Sequence, residues 1–361
     1  MNIALKYCWN ELLEQAWLVP VLLLIGFGLA FAIPEYNWLN KYIQLVLMYI
    51  GINIILTVSL NLVNGYMGEF SLAHAGFMAV GAYTAALLTM KVLPVAAYPV
   101  LFPLAVLAGG MVAAIMGLIV AVPSFKIRGD YLAIITLAFL MIVKSVIENI
   151  DYIGGPRGIP GIKRLTTLPW VFFWTVATVW MIRNFVYSKY GRGVLSIRED
   201  EIASDLMSVN TKRVKFLAFM LSSFCAGVAG ALFAHLLQFI SPRVFDIIKT
   251  TDVLIMVYLG GIASIGGSIL GATAYTALME LLRPSTMAAL LDWLPEFVFN
   301  PLNQYIIQNL GVWRMVIMPL LLVLVMLYWP RGIMGQREFR GFIPRRDRVA
   351  HRRLNDPGEK P

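Results

Sequence analysis

Four charged residues lie inside long apolar runs of the sequence, where an ionisable group is costly and is usually retained for a function. Lys144 and Glu148 stand four residues apart, so on a helix they could pair across one turn. Glu280 lies near the end of its run, beside Arg283. Glu69 lies within a glycine-rich stretch, and we expect it either to border a transport path or to cap a half-helix.

The sequence contains none of the short motifs that would place enzyme or nucleotide chemistry on this chain. There is no Gly-x-x-x-x-Gly-Lys-Ser/Thr phosphate loop, no His-Glu-x-x-His motif and no Gly-x-Ser-x-Gly elbow. His74, His235 and His351 are far apart, and Cys8 and Cys225 provide neither a disulfide framework nor a metal-ligand spacing. We therefore expect no catalytic residue, no metal and no cofactor here, and any ATP to be bound by partner ATPase subunits.

Composition places the chain in a membrane. Of its 361 residues, 59% are hydrophobic and only 14% are charged, and the apolar residues form runs of about 20, the length that crosses a bilayer core. The expected fold is an all-α, polytopic membrane helix bundle of about ten transmembrane helices. The predicted spans are 16–33, 42–64, 70–90, 96–122, 131–150, 169–187, 215–239, 251–262, 265–282 and 314–329, of which the eighth is short enough to be a half-helix.

Basic residues predict the orientation. The net charge is +9, and Lys and Arg concentrate in the loop at about 188–213 and in the tail at 336–361, as expected of cytoplasmic segments rather than of a nucleic-acid-binding surface. Both chain termini are then cytoplasmic, and residues 1–335 form a transmembrane domain with an extracytoplasmic connection at about 283–313. The basic residues at 157–164, which would lie outside, argue against this orientation.

Two glycine-rich segments, 64–83 and 259–272, interrupt predicted spans in the two halves of the chain. Paired interruptions of this kind indicate a repeat and a pathway near the membrane midplane. The alternative is that the glycines only allow helices to pack closely. The residues that we expect to line the substrate pathway are Asn61, Gly65, Gly68, Glu69, Ser71, His74, Gly76, Gly260 and Gly261.

The polar loop 190–210 predicts a short amphipathic helix at about 199–209. Ile202, Leu206 and Val209 would form an apolar stripe along it. Such a helix suits docking into a groove of a soluble partner. The alternative is an ordinary solvated connector.

Several segments together resemble the LivM-type permease family of branched-chain amino-acid ABC importers. The matching segments follow the order of the family along nearly the whole chain: Leu60–Phe77, Val80–Leu87, Gly154–Gly161, Gly191–Asn210, Leu259–Ala272 and Trp329–Gly335.

The resemblance implies a permease subunit in a bacterial inner membrane. Its expected partners are a homologous second permease, two ATP-binding-cassette ATPases, an extracytoplasmic substrate-binding protein and membrane lipid. The implied substrates are branched-chain or other apolar amino acids, with urea or short-chain amides as the alternative. A secondary transporter and a membrane-embedded enzyme are the readings outside this class.

The resemblance also assigns the loop to ATPase coupling. The family's coupling helix has an Ala-Ala-x-x-x-Gly core, whereas this chain has Ala203 followed by Ser204 and Ser208. These departures put the closeness of contact with the ATPase in doubt. The residues implied in coupling are Arg198, Glu201, Ile202, Ala203, Ser204, Leu206, Ser208 and Val209.

Overall fold

A computed structural model describes residues 26–35, 39–92, 98–125 and 131–283, together with 316–317, 319–320, 323–328, 332–335 and 338. The connection at 283–313 and most of the 336–361 tail lie outside the described residues, as do residues 16–25 of the first predicted span. In the described part of the chain, regular structure is helical apart from one pair of two-residue strands.

Eleven helices precede residue 283 in the described ranges. They are α1 (26–35), α2 (Lys41–Asn61), α3 (His74–Leu87), α4 (Tyr98–Ser124), α5 (Tyr131–Asn149), α6 (Leu168–Val186), α7 (Lys189–Glu199), α8 (Glu201–Leu206), α9 (Thr211–Leu237), α10 (Ile247–Gly260) and α11 (Ile265–Leu281). The π-helical turns Leu62–Tyr66 and Leu88–Val92 extend α2 and α3. Three 3₁₀ turns lie at Asp151–Ile153, Gly155–Arg157 and Pro242–Val244. Strand β1 (Ile159–Pro160) pairs antiparallel with β2 (Phe239–Ile240).

Five helices of the described part are long and apolar enough to cross a membrane. They are Lys41–Tyr66, His74–Val92, Leu101–Ser124, Tyr131–Asn149 and Thr211–Leu237. The all-α membrane bundle is therefore confirmed, while the count of ten spans stays a prediction. Helix α10 has 14 residues and so is about 21 Å long, shorter than the bilayer core of about 30 Å.

The centre of the bundle is α9, which packs against α3 and α4 through glycines. A methyl group at Gly230 would overlap the carbonyl oxygen of Met78, and one at Gly81 would overlap the backbone of Gly227. Side chains of Ser and Ala follow the same face of α9, where Ser223, for example, would be overlapped by a methyl group at Gly117. The backbones of these helices thus approach closely, as they do where small residues drive packing in lipid.

The predicted pairing of Lys144 with Glu148 is wrong. The ammonium group of Lys144 lies 2.6 Å from the carboxylate of Asp246, which also accepts a hydrogen bond from the backbone N–H of Ile247 and caps α10. A Lys that precedes Glu by one turn is the weaker order for a helical pair, and Asp246 offers a partner on a neighbouring element. The ion pair holds the pKa of the Asp246 carboxyl below its usual range. Glu280 does pair with Arg283, at 3.2 Å.

The close helix contact at Gly230 gives a direct stability test. Replacement of Gly230 with Ala should force α9 away from α3 and destabilise the protein by about 1–3 kcal/mol, seen as a lower unfolding temperature of the detergent-purified protein. The matched control is Gly28→Ala, because a methyl group at Gly28 meets nothing within 4 Å. Equal unfolding temperatures for the two variants would contradict the backbone contact between α3 and α9.

Candidate functional site

The two glycine-rich segments contain real interruptions of helical structure. After the π-helical turn that ends α2, residues 67–73 are not helical until α3 begins at His74; we call this stretch the first break. Residues 261–264, between α10 and α11, form the second break. Gly68 has a φ of 76° and Gly261 a φ of 131°, values that side-chain-bearing residues rarely adopt. The glycines therefore permit backbone that leaves the helix.

The side-chain amide of Asn61, at the end of α2, holds the second break against α2. Its Nδ2 donates to the carbonyl oxygen of Ser264 at 2.9 Å and to the hydroxyl of Ser268 at 2.7 Å. Its Oδ1 accepts from the backbone N–H of Ala263 at 3.0 Å. Asn61 is 1% exposed, so these bonds replace water for both the amide and the second break.

Gly65 lies directly beside this amide. A methyl group at Gly65 would overlap the Asn61 side-chain oxygen and would lie 2.6 Å from the backbone nitrogen of Ala263. The position therefore requires glycine if the end of α2 is to keep its contact with the second break.

Neighbouring helices supply the hydrogen bonds of the first break. The backbone N–H of Leu72 donates to the hydroxyl of Thr136 on α5 at 3.0 Å, and the carbonyl oxygen of Leu72 accepts from Thr250 on α10 at 3.3 Å. Ser71 is buried, and its backbone N–H donates to the side-chain oxygen of Asn64. Polar side chains of three different segments thus pair the backbone that the break leaves unpaired.

The remaining nominated residues lie at helix contacts. His74 at the start of α3 forms a hydrogen bond of 2.9 Å with the hydroxyl of Ser59 on α2. A methyl group at Gly76 would lie 3.1 Å from the ring of Phe139, and one at Gly260 would overlap the backbone of Gly267. Gly76 and Gly260 therefore allow helices to pack closely, as the alternative interpretation expects. Gly65, Gly68 and Gly261 lie at or in the breaks.

Lys215, near the start of α9, connects two of the predicted site residues. Its ammonium group lies 2.6 Å from the carboxylate of Glu69 in the first break and 2.9 Å from the carboxylate of Glu201 at the start of α8. The Lys215 side chain is only 6% exposed. The sequence feature that could have identified Lys215 is its position one turn inside an apolar helix, because a buried charge there needs partners.

Arg198, on α7, also faces the first break. Its guanidinium group donates to the carbonyl oxygen of Gly65 at 3.3 Å, and a methyl group at Gly68 would lie 2.7 Å from its side-chain stem. A cavity of about 260 Å³ lies between these groups and α5. Its lining residues are Met67, Gly68, Glu69, Phe70, Leu132, Ala133, Ile197, Arg198 and Glu201.

The helix predicted at about 199–209 is present but shorter, at Glu201–Leu206. Two helices, α7 and α8, meet at Asp200, whose backbone is extended and whose carboxylate accepts from the N–H groups of Ile202 and Ala203 at 2.9 and 3.0 Å. An aspartate in this conformation is a favourable N-cap, so a new helix starts there. Ser204 is buried and its hydroxyl donates to the carbonyl oxygen of Asp200 at 2.7 Å.

The exposed apolar residues of this loop differ in one position from the predicted stripe. Ile202 is 65% exposed, Leu206 81% and Met207 80%, whereas Val209 packs inward against the core of the bundle. We call Ile202, Leu206 and Met207 the apolar docking face. Because α8 ends at Leu206, the helical spacing that would have placed Val209 outside does not continue.

Ser208 lies just after α8 with a φ of 64°. It is the position where the resembling family has glycine, and the left-handed backbone explains that preference. Ala203 is exposed on α8. Neither serine in the core of the loop prevents the helix from forming.

The chain after the last predicted span contacts the helix ends on either side of the second break. The backbone N–H groups of Ile333 and Met334 donate to the last carbonyl oxygens of α10, at 2.9 and 3.1 Å. The carboxylate of Glu338 accepts from the N–H groups of Ile265 and Gly266 at the start of α11, both at 2.7 Å. Residues 333, 334 and 338 therefore lie beside the second break, and the α7–α8 loop lies beside the first.

A search of the described residues finds no group of three or more His, Cys, Asp or Glu side chains that could hold a metal ion. The polar contacts at the breaks serve to pair backbone and to position segments.

Comparison with known proteins identifies the family. Residues 42–326 match the family described as "Branched-chain amino acid transport system / permease component". The chain belongs to this family. It is thus a multi-pass membrane protein that acts as a permease component of a transporter and not as an enzyme.

The relatives include both kinds of Liv permease. The chain is 31% identical over 318 residues to the high-affinity branched-chain amino acid transport system permease protein LivM of Escherichia coli K12, covering 78% of this chain and 68% of that protein. It is 24% identical over 279 residues to the probable LivM of Methanocaldococcus jannaschii, covering 66% and 81%. It is 27% identical over 152 residues to LivH of E. coli K12, covering 42% of each. No solved structure gave a significant match.

Asn61 provides the test of the contact between α2 and the second break. Replacement of Asn61 with Ala leaves backbone groups of the second break unpaired, at a cost of about 1–3 kcal/mol for each buried group. We expect a lower unfolding temperature and a loss of substrate uptake. Asn149→Ala is the control, because that exposed amide donates within its own helix to Ser145. Normal uptake by the Asn61 variant would show that the contact is dispensable.

Proposed function

We propose that this chain is a transmembrane permease subunit of an ATP-binding-cassette importer, which moves branched-chain or other apolar amino acids inward using ATP hydrolysed by partner subunits. The observation that carries the proposal is a membrane bundle with two helix breaks, the first of which is linked through Lys215 to the helix that bears the exposed apolar docking face, in a chain of a branched-chain amino acid permease family. Breaks supply a place for substrate, and the docking face supplies a place for a driving partner.

The breaks suit a zwitterionic solute. Helix α3 begins at His74 without a side-chain cap among the described residues, so its first N–H groups are directed toward the first break. The amino-terminal end of a helix favours a negatively charged group such as a carboxylate. The buried Ser71, three residues before this end in the break, adds a hydroxyl. These features support the first break as part of the substrate pathway.

The docking face supports a soluble partner. Three large apolar side chains on one short helix and the residue after it are each at least 65% exposed, which is unfavourable unless another surface covers them. An ATPase subunit would cover this face and transmit its motion through α8. We expect two such ATPases, bound to this chain and to a second, related permease, since relatives called LivM and LivH both match this sequence.

The basic segments support the orientation. We place the α7–α8 loop and the 336–361 tail in the cytoplasm with the chain termini, because Lys and Arg collect in the cytoplasmic segments of membrane proteins. The inner membrane of a bacterium fits this arrangement. An extracytoplasmic binding protein would then deliver amino acid from the opposite face.

The experiment is ATP-dependent uptake by proteoliposomes that contain the permeases, the ATPases and the cognate binding protein, with radiolabelled leucine and urea as alternative solutes. Leucine uptake that requires ATP is the expected result. Uptake of urea alone would favour the amide-importing alternative, and uptake without ATP would favour a secondary transporter.

Within this assay, Leu206→Asp tests the docking face. The change removes apolar burial worth about 1.5–3 kcal/mol and adds a charge, so we expect the ATPases to be lost on co-purification and uptake to cease. Leu206→Met, which keeps the face apolar, is the matched control. Normal ATPase binding by the Leu206→Asp variant would move the docking role to another segment, with 125–131 the next to test.

A further inference from the structure

A single buried cation holds two distant parts of the chain together. Glu69 belongs to the first break and Glu201 to α8, and both carboxylates contact the ammonium group of Lys215 on α9, at 2.6 and 2.9 Å. The side chain of Lys215 is 6% exposed, that of Glu69 is 24% exposed and that of Glu201 is 49% exposed. The cation is thus the inner member of a three-residue bridge.

The charges of this bridge make its geometry dependent on Lys215. Two carboxylates approach one ammonium group, so removal of the cation would leave two like charges facing each other in a partly buried site. The ring of Phe125, with its centroid 5.7 Å from the ammonium group, also limits the access of water. Lys215 therefore sets the distance between α8 and the first break.

The elements at the two ends of the bridge differ in how firmly they are held. Helix α9 is long and packed at the bundle centre, whereas α8 has six residues and an outer face that is largely exposed. The first break contains Gly68 with a φ of 76°, where the backbone is free of the limits that a Cβ imposes. A displacement of α8 can therefore be passed to the break while α9 stays fixed.

We propose that Lys215 is a positioning residue of the transport cycle, which links Glu201 on the docking helix to Glu69 in the first break so that movement of α8 changes the pathway. This inference rests on the proposed function, in which an ATPase moves α8. Arg198, which contacts Gly65 from α7, is a second contact between the loop and the end of α2, but it does not reach α8 itself.

The test measures leucine transported per ATP hydrolysed by the complete complex in proteoliposomes. For Lys215→Met, we expect the ATPases to remain bound and to hydrolyse ATP, while the leucine-to-ATP ratio falls at least fivefold. Lys215→Arg, which keeps the cation, should stay within about twofold of the wild type. Lys212→Met removes an exposed lysine from the same helix end and should leave the ratio unchanged.

Glu201→Gln keeps the test decisive if Lys215→Met fails to assemble. This change removes one charge from the half-exposed arm of the bridge and leaves the contact between Lys215 and Glu69 in place, so the complex should assemble with a ratio lowered at least twofold. A wild-type ratio in Glu201→Gln, or in an assembled Lys215→Met complex, would overturn the proposal. Failure of the wild-type complex to move leucine with ATP would instead overturn the proposed function.

Discussion

The constraint on which this structure depends is that backbone polar groups inside a bilayer must find partners within the protein. Two helices of this bundle are interrupted, and each break would be prohibitive without such partners. Asn61 supplies three of its hydrogen bonds to the second break and the adjoining start of α11, and hydroxyl groups of Thr136 and Thr250 bond the first. Neighbouring helices therefore hold the breaks in place, so a movement of those helices would displace the breaks.

That dependence connects the site to the surface of the molecule. The first break contacts the α7–α8 loop through Arg198 and through the bridge formed by Lys215. Glu338 and the backbone of residues 333 and 334 form hydrogen bonds with the helix ends on either side of the second break. A partner that binds the exposed face of α8 would act on a short helix whose inner contacts lead directly to the proposed pathway. Helix α9, at the centre of the bundle, supports the α7–α8 loop through the contact of Lys215 with Glu201.

The sequence predicts the coarse architecture well because long apolar runs and glycine-rich interruptions are local features. It also identifies Asn61, Glu69 and Glu201 as residues of interest, although not that Lys215 joins the last two. What it misses depends on tertiary contacts or on one local cap. Lys144 pairs with Asp246 rather than with its neighbour in the helix. Asp200 caps a new helix that ends at Leu206, so Val209 after it packs inward and Met207 is exposed instead.

In the proposed transport cycle, the exposure of the first break changes when the ATPases act. The most direct measurement is the alkylation rate of a Ser71→Cys variant, with Cys8 and Cys225 replaced by serine, in the reconstituted complex. Ser71 is 1% exposed, so the account predicts slow alkylation without nucleotide and a rate at least tenfold higher in one nucleotide-trapped state of the cycle. An equally slow rate in the nucleotide-free, ATP-trapped and ADP-trapped complexes, in a variant that still transports leucine, would contradict it.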